Sequence, residues 1–329
     1  MYLPASYAVA LLFMITTMLC WGSWANTMKL CPGYRFQLFY WDYIIGLFVG
    51  IIALGFTLGS AGSTGTPFLQ DVANAPRYSI VMAVLGGAVF NLANLLLVAA
   101  IEIAGLAVAF PVGIGIALVV GALSNYIIAP KGNPVLLFGG VALVMVAIIC
   151  DALAYKAREG ARQGANTRGV IISVICGVLM GSFYPLVSKS MTAPQAPGPY
   201  ATTLFFVIGA AICAIPVNYF LMRKPIDGGA PVSMAGYLAA KPGWHIAGIL
   251  GGGIWVLGTT LNFVASRVNY VGPAISYSIG QGATMVSAFW GVFIWREFAS
   301  PTTRVRNLLI AMFICFAVGL GAIAIAPLY

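Results

Sequence analysis

Asp42 stands in the run Tyr40-Trp41-Asp42-Tyr43, at the start of an apolar stretch. A carboxyl group among aromatic rings loses hydration, which favours its neutral form and suits a group that must take up and release a proton. A salt bridge with Lys29 or Arg35 is the structural alternative for the same residue. A second set of candidates is uncharged. Trp21 and Trp24 follow Thr17 at helical spacing with Ser23 alongside, and Asn91 and Asn94 lie one turn apart. Tyr184 stands beside Pro185, Thr259 and Asn262 share a stripe with Trp255, and Tyr277 aligns with Gln281. Amides and hydroxyls both donate and accept hydrogen bonds, and aromatic faces stack on rings. Such a lining fits a small, neutral, planar or ring-shaped polar ligand. The competing reading makes each Trp or Tyr part of an interfacial belt and each Asn a tie between helices. We adopt it for Trp244 and Trp295, which fall near the ends of apolar stretches.

Other chemistries lack their residues. The only histidine, His245, falls at the edge of an apolar stretch and reads as interfacial. The six cysteines form no CxxC pair and read as small packing residues, so no metal site is expected. Neither paired carboxylates nor a Ser/His arrangement lies within the apolar stretches, which argues against an enzyme. No GxxxxGK[ST] is present, so any driving force is a gradient of protons or solute, with no cofactor. Asp151 reads as a solvated helix end beside a basic loop, and Glu102 as a turn residue at the outer interface.

The elements that position these residues follow from composition. Hydrophobic residues make up 61% of the 329, charged residues 7%, and mean hydropathy is +0.99. Soluble domains carry about 25% charged residues, and a bilayer-spanning helix needs roughly 20 apolar ones. Ten such stretches are expected, at 5–26, 37–60, 79–101, 103–128, 135–155, 169–190, 201–222, 244–266, 269–294 and 305–328. The first lacks a basic lead-in and reads as a retained helix. The longest gap, 223–243, is too short for a soluble domain. The net charge of +9 reflects the bias of Lys and Arg toward cytoplasmic loops and does not point to nucleic acid. Arg77, Lys131, Lys189 and Arg267 fall on one side and the other twelve basic residues on the opposite side. Both termini are therefore expected outside a plasma or inner membrane.

The chain also resembles itself. At an offset of 167 residues, GLAVAFPVGIG (105–115) meets GPAISYSIGQG (272–282), sharing the pattern G-x-A-x5-G-x-G. Gly105, Gly113 and Gly115 thus match Gly272, Gly280 and Gly282, glycines expected to let helices approach closely. In the same register Gly86 matches Gly253, and Gly22-Ser23-Trp24 weakly echoes Gly181-Ser182-Phe183. Five spans per unit is odd, so the second unit enters the membrane from the opposite face. The expected fold is an all-α membrane protein of ten transmembrane helices in two inverted five-helix repeats. The units are 1–157 and 169–329, joined by a cytoplasmic linker at 158–168. That symmetry suits alternating access. The stretch 272–282 is expected to stay within one continuous span and to turn Tyr277 and Gln281 toward the cavity.

This arrangement resembles the drug/metabolite transporter superfamily, and within it the ureide permeases and the related glucose- and rhamnose-uptake branch. The resemblance rests on Cys20-Trp21-Gly22-Ser23-Trp24, Tyr40-Trp41-Asp42-Tyr43, Thr57-Leu58-Gly59, Asn91-Leu92-Ala93-Asn94, and Ser287-Ala288-Phe289-Trp290-Gly291 followed by Glu297. It implies proton-coupled uptake of a neutral nitrogenous heterocycle, or of a sugar on the other branch, by a monomer or homodimer in the lipid bilayer. Plant ureide permeases carry a long central loop, whereas KAREGARQGANTR (156–168) is all that stands here. The alternative within transport is an exporter of drugs or amphipathic metabolites, which would need a larger and mostly apolar pocket.

Overall fold

The computed structural model describes residues 1–159, 167–225 and 229–329, with the side chains of 106, 107 and 159 outside the description. Most of the expected linker, 160–166, and Arg162 with it, lies outside the described residues. Among the described residues the chain is all helix, and nine helices are long and apolar enough to cross a membrane. They are α1 (Tyr7–Ser23, prolonged by the tighter turn Trp24–Leu30), α2 (Phe36–Phe56), α4 (Arg77–Ala104), α5 (Leu106–Ile128), α6 (Pro134–Glu159), α7 (Thr167–Thr192), α8 (Pro199–Arg223), α10 (Pro242–Ser266) and α13 (Thr303–Ile325). Short helices α3 (Phe68–Ala73) and α9 (Met234–Leu238) lie in connections. In lipid a helix is favoured because it satisfies its own backbone. Its ends are fixed by local chemistry: Ser6 and Thr302 accept from the N–H groups of Val9 and Val305, and Pro199 and Pro242 open α8 and α10.

The expected continuous span at 269–294 is interrupted. It consists of α11 (Gly272–Gly280), α12 (Ala283–Phe289) and a wider turn, Trp290–Ile294. At the join the i−4 ladder lapses: the Gly282 N–H donates to Ile279 O (2.9 Å), and Met285 N–H to Gly282 O (2.9 Å). Glycine within a helix costs about 1 kcal/mol relative to Ala, and here two glycines flank Gln281. Both are closely packed: a Cβ on Gly280 would fall 2.7 Å from the Trp21 ring, and one on Gly282 would require Met18, whose Sδ is 2.5 Å away, to shift.

Gly105 does not serve the close packing expected of it, whereas a Cβ on Gly272 would fall 2.7 Å from Lys131 Cγ. Both stand in the left-handed region (φ 78° and 74°) and begin α5 and α11. A Cβ on Gly105 would meet nothing within 4 Å, so its task is the turn, which glycine adopts without steric penalty. Gly113 and Gly115 do pack, with Leu97 at 3.3 Å and Met145 Sδ at 2.8 Å of a built Cβ.

Two helix crossings are closer still. A Cβ on Gly46 of α2 would lie 2.1 Å from Ile249 O, and one on Gly252 of α10 2.0 Å from Tyr43 O. The α4–α8 crossing repeats the pattern, at 1.9 Å from Gly209 to Val84 O and 1.8 Å from Gly87 to Phe206 O. A Cβ on Gly253, the sequence match of Gly86, would meet nothing within 4 Å. The crossings therefore relate Gly87 to Gly252, a register two residues shorter than the slide of 167.

At the end richer in basic residues, Glu297 joins three segments. It accepts from Lys29 Nζ (2.7 Å) and Tyr155 OH (2.8 Å), with Arg158 Nη1 3.7 Å away. Burial pushes this carboxyl up, but the hydrogen bonds from Lys29 and Tyr155 and the charges of Lys29 and Arg158 outweigh it and hold it below its ordinary value. A depressed native pKa stabilises above the unfolded value of about 4.3 and is lost as pH falls through the native one. Glu297→Gln should therefore lower the melting temperature at pH 7, with the gap to wild type closing below about pH 4. An equal gap at both pH values in a melting series would refute that electrostatic account.

Candidate functional site

A cavity of about 470 Å³ lies among α1, α4, α5, α7, α10 and the α11–α12 join. Its floor is aromatic and buried. The Trp255 ring stacks on Phe90 (centroids 4.5 Å, 28° apart) and lies nearly parallel to Trp21 (6.1 Å, 15°). Phe183 closes one side against Phe90 in an edge contact at 5.3 Å. Its lining continues to Met28, Phe36, Ile101 and the exposed Glu102. This places Glu102 at the same end as Lys29, the end richer in basic residues. Glu102 is the one charged side chain among the described lining residues. The lining therefore offers ring faces and neutral polar groups with one carboxylate among them.

Four of the ten sequence-predicted binding residues border this space: Trp21, Trp24, Asn94 and Gln281. Trp21 commits its indole N–H to Thr259 Oγ1 (3.0 Å), so it offers a face and Thr259 stands behind it. The Trp24 indole N–H and the Gln281 side-chain amide have no protein hydrogen bond among the described residues. Asn94 is tied from behind, its Nδ2 donating to Tyr40 OH (3.2 Å), while Tyr40 donates to Asn91 Oδ1 (2.6 Å). Asn91 itself is fully buried outside the lining.

The remaining candidates support the framework. Ser23 Oγ accepts from the Trp290 indole N–H (2.9 Å). Tyr184 donates to Asn262 Oδ1 (2.5 Å), and Asn262 and Ser276 exchange bonds with each other's backbone at 2.9 Å. That exchange pins α11 to α10. Tyr277 does not turn its hydroxyl to the cavity as expected; it reaches α5 and donates to Ala117 O (2.9 Å).

Asp42 lies outside the lining and is 1% exposed. Tyr34 donates to its Oδ2 (2.8 Å), Tyr237 to its Oδ1 (2.7 Å), and His245 Nδ1 stands 2.9 Å from Oδ1. Lys29, one of the two cations considered for it, is engaged by Glu297. The cage draws on the α1–α2 connection, α2, α9 and α10. Sequence reading missed His245 because 203 residues separate it from Asp42. The available signal was that both lie within the first two turns of helices at the same basic end. All six cysteines are free, and no group of metal-ligand residues occurs among the described residues.

The family model "Ureide permease" matches residues 39–168 and 162–326. The chain is 24% identical to ureide permease 5 of Arabidopsis thaliana over 97% of its length and 94% of that protein's. It is also 24% identical to ureide permease 1 of Arabidopsis thaliana, over 98% of each chain. A local match at 31% identity to the probable ureide permease A3 of Vigna unguiculata covers 43% of this chain. The alignment to ureide permease 5 runs over 399 positions, more than the 329 residues here, so that relative carries insertions. A protein of known crystal structure shares the fold, with a TM-score of 0.58 at 19% identity over 95% of this chain and 96% of that one.

Proposed function

Because the chain belongs to the ureide permease family, whose members are membrane transporters and not enzymes, we propose that it is a secondary active transporter for a small neutral polar heterocycle of the ureide or nucleobase type. The observation that carries this reading is the cavity: stacked rings, neutral amides, and a single carboxylate on its lining. Rings take the faces of a planar solute, and Asn94, Gln281 and Trp24 meet its polar edge. The exposed Glu102 of the lining lies at the end where basic residues concentrate, the end that the positive-inside bias would make cytoplasmic. The protein is then inward-facing, with both termini outside.

Ten spans in two inverted repeats fit this role, the interrupted α11–α12 segment counting as the ninth. Three observations support the repeat. Gly105 and Gly272 share a positive φ, the α2–α10 and α4–α8 crossings share one glycine pattern, and Gly22 meets Ala283 O and Val286 as Gly181 meets Ala117 O and Val120. Exchange of these pairings would expose the cavity to each side in turn. Uptake is coupled to protons through Asp42, whose cage ties α2 to α10.

One observation favours the exporter reading. Much of the lining is apolar, including Leu97, Val98, Phe110, Ile114 and Met180. Thermal unfolding of the purified protein separates the two. Allantoin, uracil, glucose and tetraphenylphosphonium are each added at saturating concentration, where a specific ligand at 100 times its Kd contributes about 2.7 kcal/mol. Stabilisation by allantoin or uracil is expected. Stabilisation by the hydrophobic cation alone would replace the importer with the exporter.

A further inference from the structure

Resting on the transport reading above, we propose that Tyr40 is a positioning residue that turns the carbonyl oxygen of Asn94 toward the cavity, so that the site selects ligands carrying an N–H or O–H donor at that edge. The direction follows from the orientation of the Asn91 amide, whose Oδ1 faces the Tyr40 hydroxyl, together with proton counting. Asn91 Oδ1 can only accept, and the Tyr40 hydroxyl donates to it at 2.6 Å. Having one proton, that hydroxyl can only accept from its other neighbour. Asn94 therefore presents Nδ2 to it, at 3.2 Å. Nδ2 is committed behind the wall, and Oδ1 is left as the edge of the amide without a protein partner in a residue that borders the cavity.

Tyr40 is well placed to enforce this choice. It is fully buried, and its ring is held between Phe36 and Tyr43, each 5.2 Å away between centroids. Without the hydroxyl, rotation of the Asn94 amide would offer either its donor or its acceptor, because the terminal amide torsion is soft. Phe90 precedes Asn94 by one turn on the same face of α4, so a ring resting on Phe90 brings its edge to the amide. Gln281 and the Trp24 indole N–H retain donors for the carbonyl groups of such a ligand. The cavity therefore reads a ring that carries both an N–H and a C=O.

The test compares uracil with 1,3-dimethyluracil, which keeps the ring and both carbonyls but has no N–H. Dissociation constants are measured for the purified protein by calorimetry. The wild type should prefer uracil by about tenfold, the worth of one well-formed hydrogen bond. In Tyr40→Phe the preference should fall toward unity through weaker uracil binding, with 1,3-dimethyluracil unchanged. Simple steric rejection of the methyl groups would persist in the variant, so an unchanged ratio overturns the proposal. If Tyr40→Phe does not fold, Asn94→Ala leaves the Tyr40–Asn91 bond in place and should lose the same ratio. Uracil binding with a ratio that survives substitution sinks only this inference. No binding of either uracil or allantoin by the wild type sinks the transport reading with it.

Discussion

Asp42→Asn is expected to bring the concentration ratio of substrate across a proteoliposome membrane to about 1 under an imposed pH gradient, while leaving substrate counterflow intact. One coupled proton and a gradient of one pH unit are worth about 1.4 kcal/mol, which supports at most a tenfold accumulation. The wild type should approach that ratio. Asparagine keeps one acceptor for the Tyr237 hydroxyl but places an NH2 group where Tyr34 donates to Oδ2. It has no carboxyl proton to take up or release at that position.

The cage explains why proton movement there would matter to a cavity it does not touch. Asp42 and His245 lie within the first two turns of α2 and α10, the pair locked by Gly46 and Gly252, and Tyr34 and Tyr237 bring in the flanking segments. Trp24, on the cavity wall, packs on Tyr43, the residue after Asp42, at 4.8 Å. Adding a proton to the Asp42–His245 pair alters the bonds that hold these four segments together, one residue away from the wall. Counterflow requires the cavity and its exchange of access but no net proton movement, so it should survive. A mutant that still concentrates substrate would remove Asp42 from the coupling step.

Sequence made the solvent legible, because 7% charge and recurrent apolar stretches leave a bilayer as the only medium. It also made Trp21, Trp24, Asn94 and Gln281 legible as polar or aromatic residues within apolar stretches, and all four border one space. What it could not resolve was which polar groups are already consumed. Tyr184, Asn262 and Tyr277 look available in a string of letters, yet each bonds to a helix distant in sequence. Neither could periodicity see the join at Gln281, because glycine content signals both close packing and a broken ladder. Tyr40 was passed over for a related reason. It reads as a flank of Asp42, and its hydroxyl acquires a role only when α2 is laid against α4.

Adjacent glycines of α10 give the largest expected contrast in stability. Gly252→Ala should prevent recovery of folded protein or cost at least about 3 kcal/mol, whereas Gly253→Ala should be neutral or slightly stabilising. At Gly252 the new methyl would sit 2.0 Å from Tyr43 O and 2.9 Å from Gly46 Cα, so only backbone can yield. Separating α2 from α10 would also part Asp42 from Gly248, where a Cβ would fall 2.4 Å from Asp42 Cβ, and so loosen the cage. At Gly253 a Cβ would meet nothing within 4 Å, and alanine is the better helix former by about 1 kcal/mol. The same contrast tests the register of the proposed repeat. Sliding the sequence by 167 pairs Gly253 with Gly86, while the crossings pair Gly252 with Gly87, whose methyl would meet Phe206 O at 1.8 Å. Gly87→Ala should therefore fail as Gly252→Ala does. Monodispersity and melting temperature after detergent extraction measure all three variants. A Gly252→Ala protein as stable as Gly253→Ala would mean that the crossing is looser than these contacts require.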